Sequence, residues 1–325
     1  THAHADHLRW GCGSYLVSAE GEGVTRVRLG TEARLETLEW SEARTIGGLR
    51  VSFHPAGHIL GSAQIRLEYK GQVAVVTGDY KRHHDPTTTA FELVRAHTLI
   101  TESTFALPIF RWPDSAAVER EIGEWWSRNR RDGRTSVLFS YALGKAQRLL
   151  AGLPAADGPI LVHGAVARLN EAYRAVGVHL PPTLPATVDH ARVHRGTALV
   201  VAPPSAARTP WIRKFAPFST AFASGWMQVR GTRRRRAGDQ GFIVSDHADW
   251  NGLVATVRDS GAERVWVTHG YCDTFVRWLR EHEGLDAAVL PTPWRGERPD
   301  EGDGTDDPGT DDEVRADADA AGAEP

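Results

Sequence analysis

Apolar residues change period several times along the chain, and the changes mark out its elements. Residues 1–49 show little periodicity, so the first strand is expected near 50–53. Ile65, Leu67 and Tyr69 alternate with polar residues. A Lys70-Gly71 turn follows, and 73–76 completes a β-hairpin that ends at Thr77-Gly78-Asp79. A further strand at 98–100 runs into Thr101-Glu102-Ser103-Thr104. From about 106 strands and helices alternate. Asp114 is placed to cap a helix whose Val118, Ile122, Trp125 and Trp126 share one face. Strands at 136–140, 160–163 and 198–202 precede helices at 145–151, 166–176 and 205–215, with a Pro- and His-rich loop at 177–196. Such a repeat predicts a parallel sheet flanked by helices. A strand at 242–245, a helix at 250–260 capped by Asp249, a strand at 265–268 and a helix at 274–283 follow. Beyond Gly296 the periodicity vanishes in Asp, Gly and Pro, and disorder is expected there.

Composition narrows the class. A chain of 325 residues, 41% hydrophobic, forms one large domain or two of ordinary size. No apolar run approaches the roughly 20 residues of a membrane helix, so no membrane partner is expected. Cys12 and Cys272 stand far apart and outside any CxxC pair, which makes a reducing cytoplasm the default location. Charge is unevenly spread. Residues 296–325 hold twelve Asp or Glu against two Arg, a net of −10 in a chain of net −3, which leaves +7 on residues 1–295. A basic body suits a polyanionic partner; the acidic tail either competes with that partner or keeps the chain soluble. Only Lys70, Lys81, Lys145 and Lys214 are lysines, an Arg bias that codon composition explains as well as phosphate binding does. Arg230 and Arg233–Arg236 form the densest basic cluster, beside Phe222-Ala223-Ser224-Gly225-Trp226. Arg next to an aromatic suits a single-stranded backbone with stacked bases, and a solvated basic loop fits the same residues.

The chain opens on Thr1-His2-Ala3-His4-Ala5-Asp6-His7. His2 and His4 share a parity, so on a strand or a strand-ending turn they point to one side. Asp6 and His7 follow after a turn and face a second point. Imidazole and carboxylate are the usual zinc ligands where thiolates are absent, so the pattern suits two adjacent divalent ions. A His-rich tag remnant is the bland alternative. Other isolated polar residues fall at the ends of apolar strands: His58, Asp79, Glu102, His247 and His269. Strand ends deliver side chains to one rim of a sheet, where loops build sites.

The ordered set resembles the β-CASP nuclease branch of the metallo-β-lactamase fold, over roughly residues 1–290. The segments Ala56-Gly57-His58-Ile59-Leu60-Gly61-Ser62-Ala63, Thr77-Gly78-Asp79-Tyr80, Glu102-Ser103-Thr104-Phe105 and Leu143-Gly144-Lys145-Ala146-Gln147 carry the resemblance. Trp10-Gly11, Phe110-Arg111-Trp112-Pro113, Ala202-Pro203-Pro204-Ser205 and Ser245-Asp246-His247-Ala248-Asp249-Trp250 are similar to the bacterial ligase-associated DNA exonucleases. The resemblance implies an αββα sandwich with an inserted βα domain. Its parts would be 1–105 and 241–295 for the sandwich, 106–240 for the insertion and 296–325 for the tail. It also implies that the first strands of the sandwich precede Thr1, so that a chain limited to these residues folds or binds metal poorly. Two Zn2+, or alternatively Mn2+, would be held: one by His2, His4 and His58, the other by Asp6, His7 and His269, with Asp79 bridging. His247 would be the general acid and Glu102 would orient it and favour its protonated form. Asp249 suits either that role or, better, its helix cap. Ser103, Thr104, Lys145, Ser224, Arg230 and Arg233 are candidate substrate contacts.

The implied activity is phosphodiester hydrolysis, with DNA as substrate, single-stranded or at duplex ends, and a DNA ligase system as partner. His269 qualifies this. In the eukaryotic DNA-processing members the corresponding position carries Val, whereas RNA-processing members carry His, so an RNA nuclease is the alternative. A non-catalytic nucleic-acid-binding relative is the competing class, and every implied ligand and the acid are present against it. A thioester or lactam hydrolase is disfavoured by the long insertion between Asp79 and the last His.

Overall fold

The computed structural model describes residues 1–153, 158–236 and 238–292, so the tail expected at 296–325 lies outside the described residues. The chain begins with a turn and then a short unit of β1 (Tyr15–Ser18), α1 (Glu22–Leu29) and β2 (Leu35–Leu38), in which the two strands pair in parallel. An antiparallel meander of β3 (Ala43–Ile46), β4 (Leu49–Pro55), β5 (Ala63–Tyr69) and β6 (Gln72–Val76) follows, and β7 (Thr98–Ser103) adds in parallel to β6. The expected hairpin is β5–β6, turning through Lys70 and Gly71 with φ of 48° and 79°.

The alternating region opens with α2 (Ser115–Arg131), capped by the Asp114 carboxylate accepting from the Ala117 amide. Then come β8 (Thr135–Phe139), α3 (Lys145–Gly152), β9 (Ile160–Val162), α4 (Gly164–Ala175), β10 (Leu184–Pro185), α5 (Val188–Val193), β11 (Leu199–Ala202), β12 (Phe218–Ala223), α6 (Arg230–Arg236) and β13 (Gln240–Phe242). Their strands form a six-stranded, wholly parallel sheet in the order β10-β9-β11-β8-β12-β13. α7 (Trp250–Ser260), β14 (Arg264–Gly270), α8 (Cys272–Glu283) and β15 (Asp286–Val289) complete a seven-stranded mixed sheet, β15-β14-β7-β6-β5-β4-β3.

The α/β character and the parallel sheet read from the periodicity fit this architecture. Several local elements differ. The region before 50 holds β1, α1, β2 and β3, all short: β1, α1 and β2 bury only part of one face, and β3 is exposed throughout. The helix expected at 205–215 is two 3₁₀ segments, Pro204–Arg208 and Pro210–Phe215, because Pro210 has no amide to continue a helix. The loop expected at 177–196 contains β10 and α5. The strand expected at 242–245 ends at Phe242, leaving 243–249 outside any strand, with a bend at Asp246 and His247.

Three layers organise the first sheet. On one face Val75, Leu99, Val265 and Val267 pack against Leu253 and Val257 of α7 and Phe275 and Leu279 of α8. On the other, Val51, Phe53 and Ala63 pack against Leu16 and Leu38 of the β1–β2 pair. α1 then buries Val24 and Leu29 in the same cluster as Leu149 of α3 and Val166 and Tyr173 of α4. The carboxyl ends of β6, β7 and β14 therefore face the loops leaving the parallel sheet, the place where open α/β sheets build sites.

Candidate metal centre

The opening heptapeptide is a turn, not a strand. The His4 carbonyl accepts from the amides of His7 (3.1 Å) and Leu8 (2.9 Å), and the Thr1 carbonyl is tied to the Ala63 amide at the start of β5. His58 sits in the β4–β5 connection, where Ser62 Oγ accepts from the amides of His58 and Ile59. That loop packs so closely that a Cβ on Gly61, whose φ is 71°, would collide with Gly21 Cα. Asp79 follows β6. His269 is the next-to-last residue of β14, at a bulge, with φ of 57°, and a Cβ on the next residue, Gly270, would collide with the Ser103 carbonyl oxygen. The bulge is what re-aims the His269 ring.

These placements bring seven donors together. His4 Nδ1 lies 3.1 Å from His2 Nε2 and 3.1 Å from His58 Nε2. Asp79 Oδ2 lies 3.6 Å from His2 Nε2, 3.9 Å from His58 Nε2 and 3.4 Å from His7 Nε2. His7 Nε2 is 3.5 Å from Asp6 Oδ2, and the His7 and His269 rings are 5.4 Å apart. The potential ligand atoms of His2, His4, His58 and Asp79 lie within 4.8 Å of one another, as do those of His7, Asp79 and His269.

The donor set fits divalent ions. Three imidazole nitrogens converge at about the edge length, roughly 3.3 Å, of a tetrahedron with metal–nitrogen bonds near 2.0–2.1 Å. Their other nitrogens are occupied: His4 Nε2 donates to the Leu143 carbonyl, His58 Nδ1 donates to the Asp246 carbonyl, and the Thr1 hydroxyl lies 3.2 and 3.1 Å from Nδ1 of His2 and His7. Such outer contacts fix which nitrogen faces the site. Burial drives the His2 imidazole well below its ordinary pKa, and His7 and His58 add to the effect. Burial and His247 push His58 down to about 3. Both rings are neutral donors at neutral pH. For His7 burial acts in the same sense, but Asp79 and Asp6 beside it raise its pKa overall. Burial opposes ionisation of Asp79, yet His7, by its charge and hydrogen bond, holds the carboxyl well below the usual range.

A pH dependence follows for the metal-free protein. His2 and His58 titrate near 6.5 when unfolded and lower when folded, so the unfolded state binds more protons below that value. Their stabilisation is present above about pH 6.5 and is lost as pH falls through it, by up to about 1.4 kcal/mol per pH unit per ring. The raised His7 works in the opposite sense and offsets part of the loss. After chelation of metal, the urea midpoint is expected to fall between pH 7 and pH 5; a constant or rising midpoint would contradict the neutral, buried state of these two rings.

Beside the cluster stands a His–carboxylate pair. His247 Nδ1 donates to Glu102 Oε2 at 2.9 Å, and Glu102 Oε1 accepts from the Tyr80 amide. Both side chains are buried. The bond fixes the tautomer that leaves Nε2 as the exchangeable position. Asp249 is the cap of α7, accepting from the Gly252 amide, and its second oxygen accepts from the Trp112 amide.

The candidate substrate contacts are dispersed. Ser103 is buried and donates to the His269 carbonyl, and Thr104 is buried beside it. Ser224 is buried as the cap of a 3₁₀ turn, accepting from the Trp226 amide. Lys145 is buried, 3.2 Å from Asp246 Oδ1. Arg230 and Arg233 lie exposed on α6. Residues not singled out from sequence also build the site. Trp112 Nε1 donates to the His247 carbonyl at 2.8 Å, and the carbonyls of Leu143 and Asp246 orient His4 and His58. Asp246 carries a visible signal, a carboxylate set directly before His247; main-chain acceptors leave none.

No family model matches the chain. Over 292 residues, 89% of its length, it is 31% identical to a probable DNA ligase of Opitutus terrae, the match covering 28% of that protein. It is 34% identical over 127 residues to the endoribonuclease YSH1 of Gibberella zeae, covering 38% of this chain and 15% of the relative. Over 157 residues it is 30% identical to the cleavage and polyadenylation specificity factor 73 of Drosophila melanogaster, covering 46% and 23%. The chain thus spans less than a third of the length of these curated relatives. The similarities support the β-CASP metallo-β-lactamase nuclease family, and the α/β architecture agrees with it.

Proposed function

We propose that the chain is a divalent-metal-dependent phosphodiesterase acting on DNA, an exonuclease that trims ends in connection with ligation. The observation that carries the reading is the joining of a seven-residue donor set, His2, His4, Asp6, His7, His58, Asp79 and His269, to a buried His247–Glu102 pair beside it, whose ligand atoms lie within 4.8 Å of an Asp79 oxygen. Two Zn2+, or Mn2+, bound there would supply Lewis-acid activation of water at neutral pH and screen the charge of a phosphodiester. His2, His4 and His58 would hold one ion, Asp6, His7 and His269 the other, and Asp79 would touch both. His247 delivers a proton from Nε2 to the sugar oxygen as it leaves. Glu102 keeps the ring oriented and stabilises its charged form before transfer. Exposed Arg230 and Arg233 would grip the nucleic-acid backbone by charge. Free thiols at Cys12 and Cys272 suit a reducing cytoplasm.

DNA is supported by the match along most of this chain to a protein named as a DNA ligase. An RNA-processing activity is the second reading, supported by His269 and by the partial match to a protein named as an endoribonuclease. End-labelled single-stranded DNA, duplex DNA and RNA of one sequence, offered with Zn2+ or Mn2+ and with chelator, separate the two. Metal-dependent release of nucleotides from DNA ends is expected. Faster turnover of RNA would move the assignment to the second reading, and metal-loaded protein inert on all three would remove the enzyme reading.

A further inference from the structure

Three cations converge on the two residues that precede His247. Lys81 Nζ donates to the Ser245 carbonyl at 2.6 Å, Arg148 donates to the same oxygen, and Lys145 Nζ stands 3.2 Å from Asp246 Oδ1. Lys81, Lys145 and Asp246 are each at most 2% exposed. Among the described residues neither carboxylate oxygen of Asp246 has a hydrogen bond, so the ion pair with Lys145 is what offsets the cost of burying that charge. The carbonyl of the same Asp246 accepts from His58 Nδ1 at 2.9 Å, which leaves His58 Nε2 towards His4 and Asp79. Lys145 begins α3, and the loop leading into it supplies the Leu143 carbonyl to His4 Nε2 at 3.2 Å. Between the two lies Gly144, with φ of 84°, where a Cβ would collide with Ile59 Cγ2, next to His58. A segment following β8 of the parallel sheet thus reaches two donors of the cluster, one directly and one through Asp246.

We propose that Lys145 is a positioning residue of the metal centre. By pairing with Asp246 it holds the main-chain carbonyl that fixes the His58 ring, and so ties the parallel sheet to the geometry of the ion held by His2, His4 and His58. This rests on reading that cluster as a metal site. It replaces the phosphate-contact role expected for Lys145 from sequence: the ammonium group is buried against a carboxylate and 4.1 Å from the centre of the Tyr141 ring, and a phosphate would have to displace Asp246 to reach it.

The test is a double-mutant cycle on the full chain with Lys145→Met, Asp246→Asn and the double variant. Zinc affinity is read by competition with a chromophoric chelator, beside kcat and KM on labelled DNA, on samples shown folded by circular dichroism. Each single variant removes one side of the Lys145–Asp246 ion pair and is expected to weaken zinc binding about 10–100-fold, the usual cost of losing an outer-shell contact, and to lower kcat with little change in KM. The double variant removes both charges and is expected to recover most of the zinc affinity. If one single variant fails to fold, the other and the double carry the comparison. Raised KM with unchanged zinc affinity in Lys145→Met would overturn the proposal in favour of a phosphate contact. A lowered melting temperature with unchanged zinc affinity and kcat would overturn it too, reducing the pair to a structural one. Absence of divalent-ion binding by the unsubstituted chain is a distinct result and would remove the metal reading itself.

Discussion

Replacing His247 by alanine is expected to lower phosphodiester hydrolysis by about 10²–10⁴-fold while leaving the metal content as it is in the unsubstituted chain. The two effects separate if His247 acts as the acid and leaves the ions to the seven-residue donor set. Its Nδ1 is engaged by Glu102, and its backbone is held independently, with the amide on Ser245 Oγ and the carbonyl on Trp112 Nε1. Removing the ring therefore leaves the loop tied down. Glu102→Gln should fall in the same direction by less, since the amide still accepts from the ring but no longer stabilises its charged form. Metal analysis alongside initial rates checks this. Loss of zinc together with activity in His247→Ala would make the residue a ligand and overturn its role.

His58→Ala is expected to show the opposite order, with metal loss first and activity following. The His58 ring is wholly buried, lies 3.1 Å from His4 Nδ1, and is kept neutral by its surroundings. Removing it takes away one of three imidazole donors from a site that the family resemblance assigns to a single ion. Zinc content should fall by about half relative to the unsubstituted chain, because His7, Asp6 and His269 keep their own arrangement. Asp79→Asn should be more severe, since Asp79 Oδ2 lies within 3.9 Å of Nε2 of His2, His7 and His58 together. Full zinc occupancy in His58→Ala would separate His58 from the metal centre.

Much of the site is legible in the sequence alone, because metal chemistry restricts residue types so tightly. His and Asp at fixed spacing in the heptapeptide, and lone polar residues closing apolar strands at Asp79, Glu102, His247 and His269, stand out against their neighbours without reference to contacts. The hairpin β5–β6, the helix α2 and the alternation that builds the parallel sheet are legible for a similar reason, since each repeats a period long enough to register. What escapes is short or bent by contact. α1 has eight residues between Gly21 and Gly30, β1 and β2 have four each, and the segment after Ala202 carries a proline where a helix would continue.

Lys145 shows where local reasoning stops. From sequence it is a lysine following a glycine at the start of a short helix, a candidate phosphate contact; in the fold it is a buried counter-ion for Asp246. Asp246 in turn looks like a neighbour of His247, and its carbonyl serves His58 instead.

The sequence by itself determined the inventory: which side chains carry imidazole, carboxylate and ammonium groups, and how they are spaced along the chain. Only the tertiary structure decided that residues as distant as His2 and His269 meet around Asp79, which nitrogen of each ring faces inward, and which charges neutralise one another. The physical reason is that identity is a local property of the chain, whereas burial, tautomer and charge pairing are set by atoms brought from remote segments, and no period or motif along the chain records them.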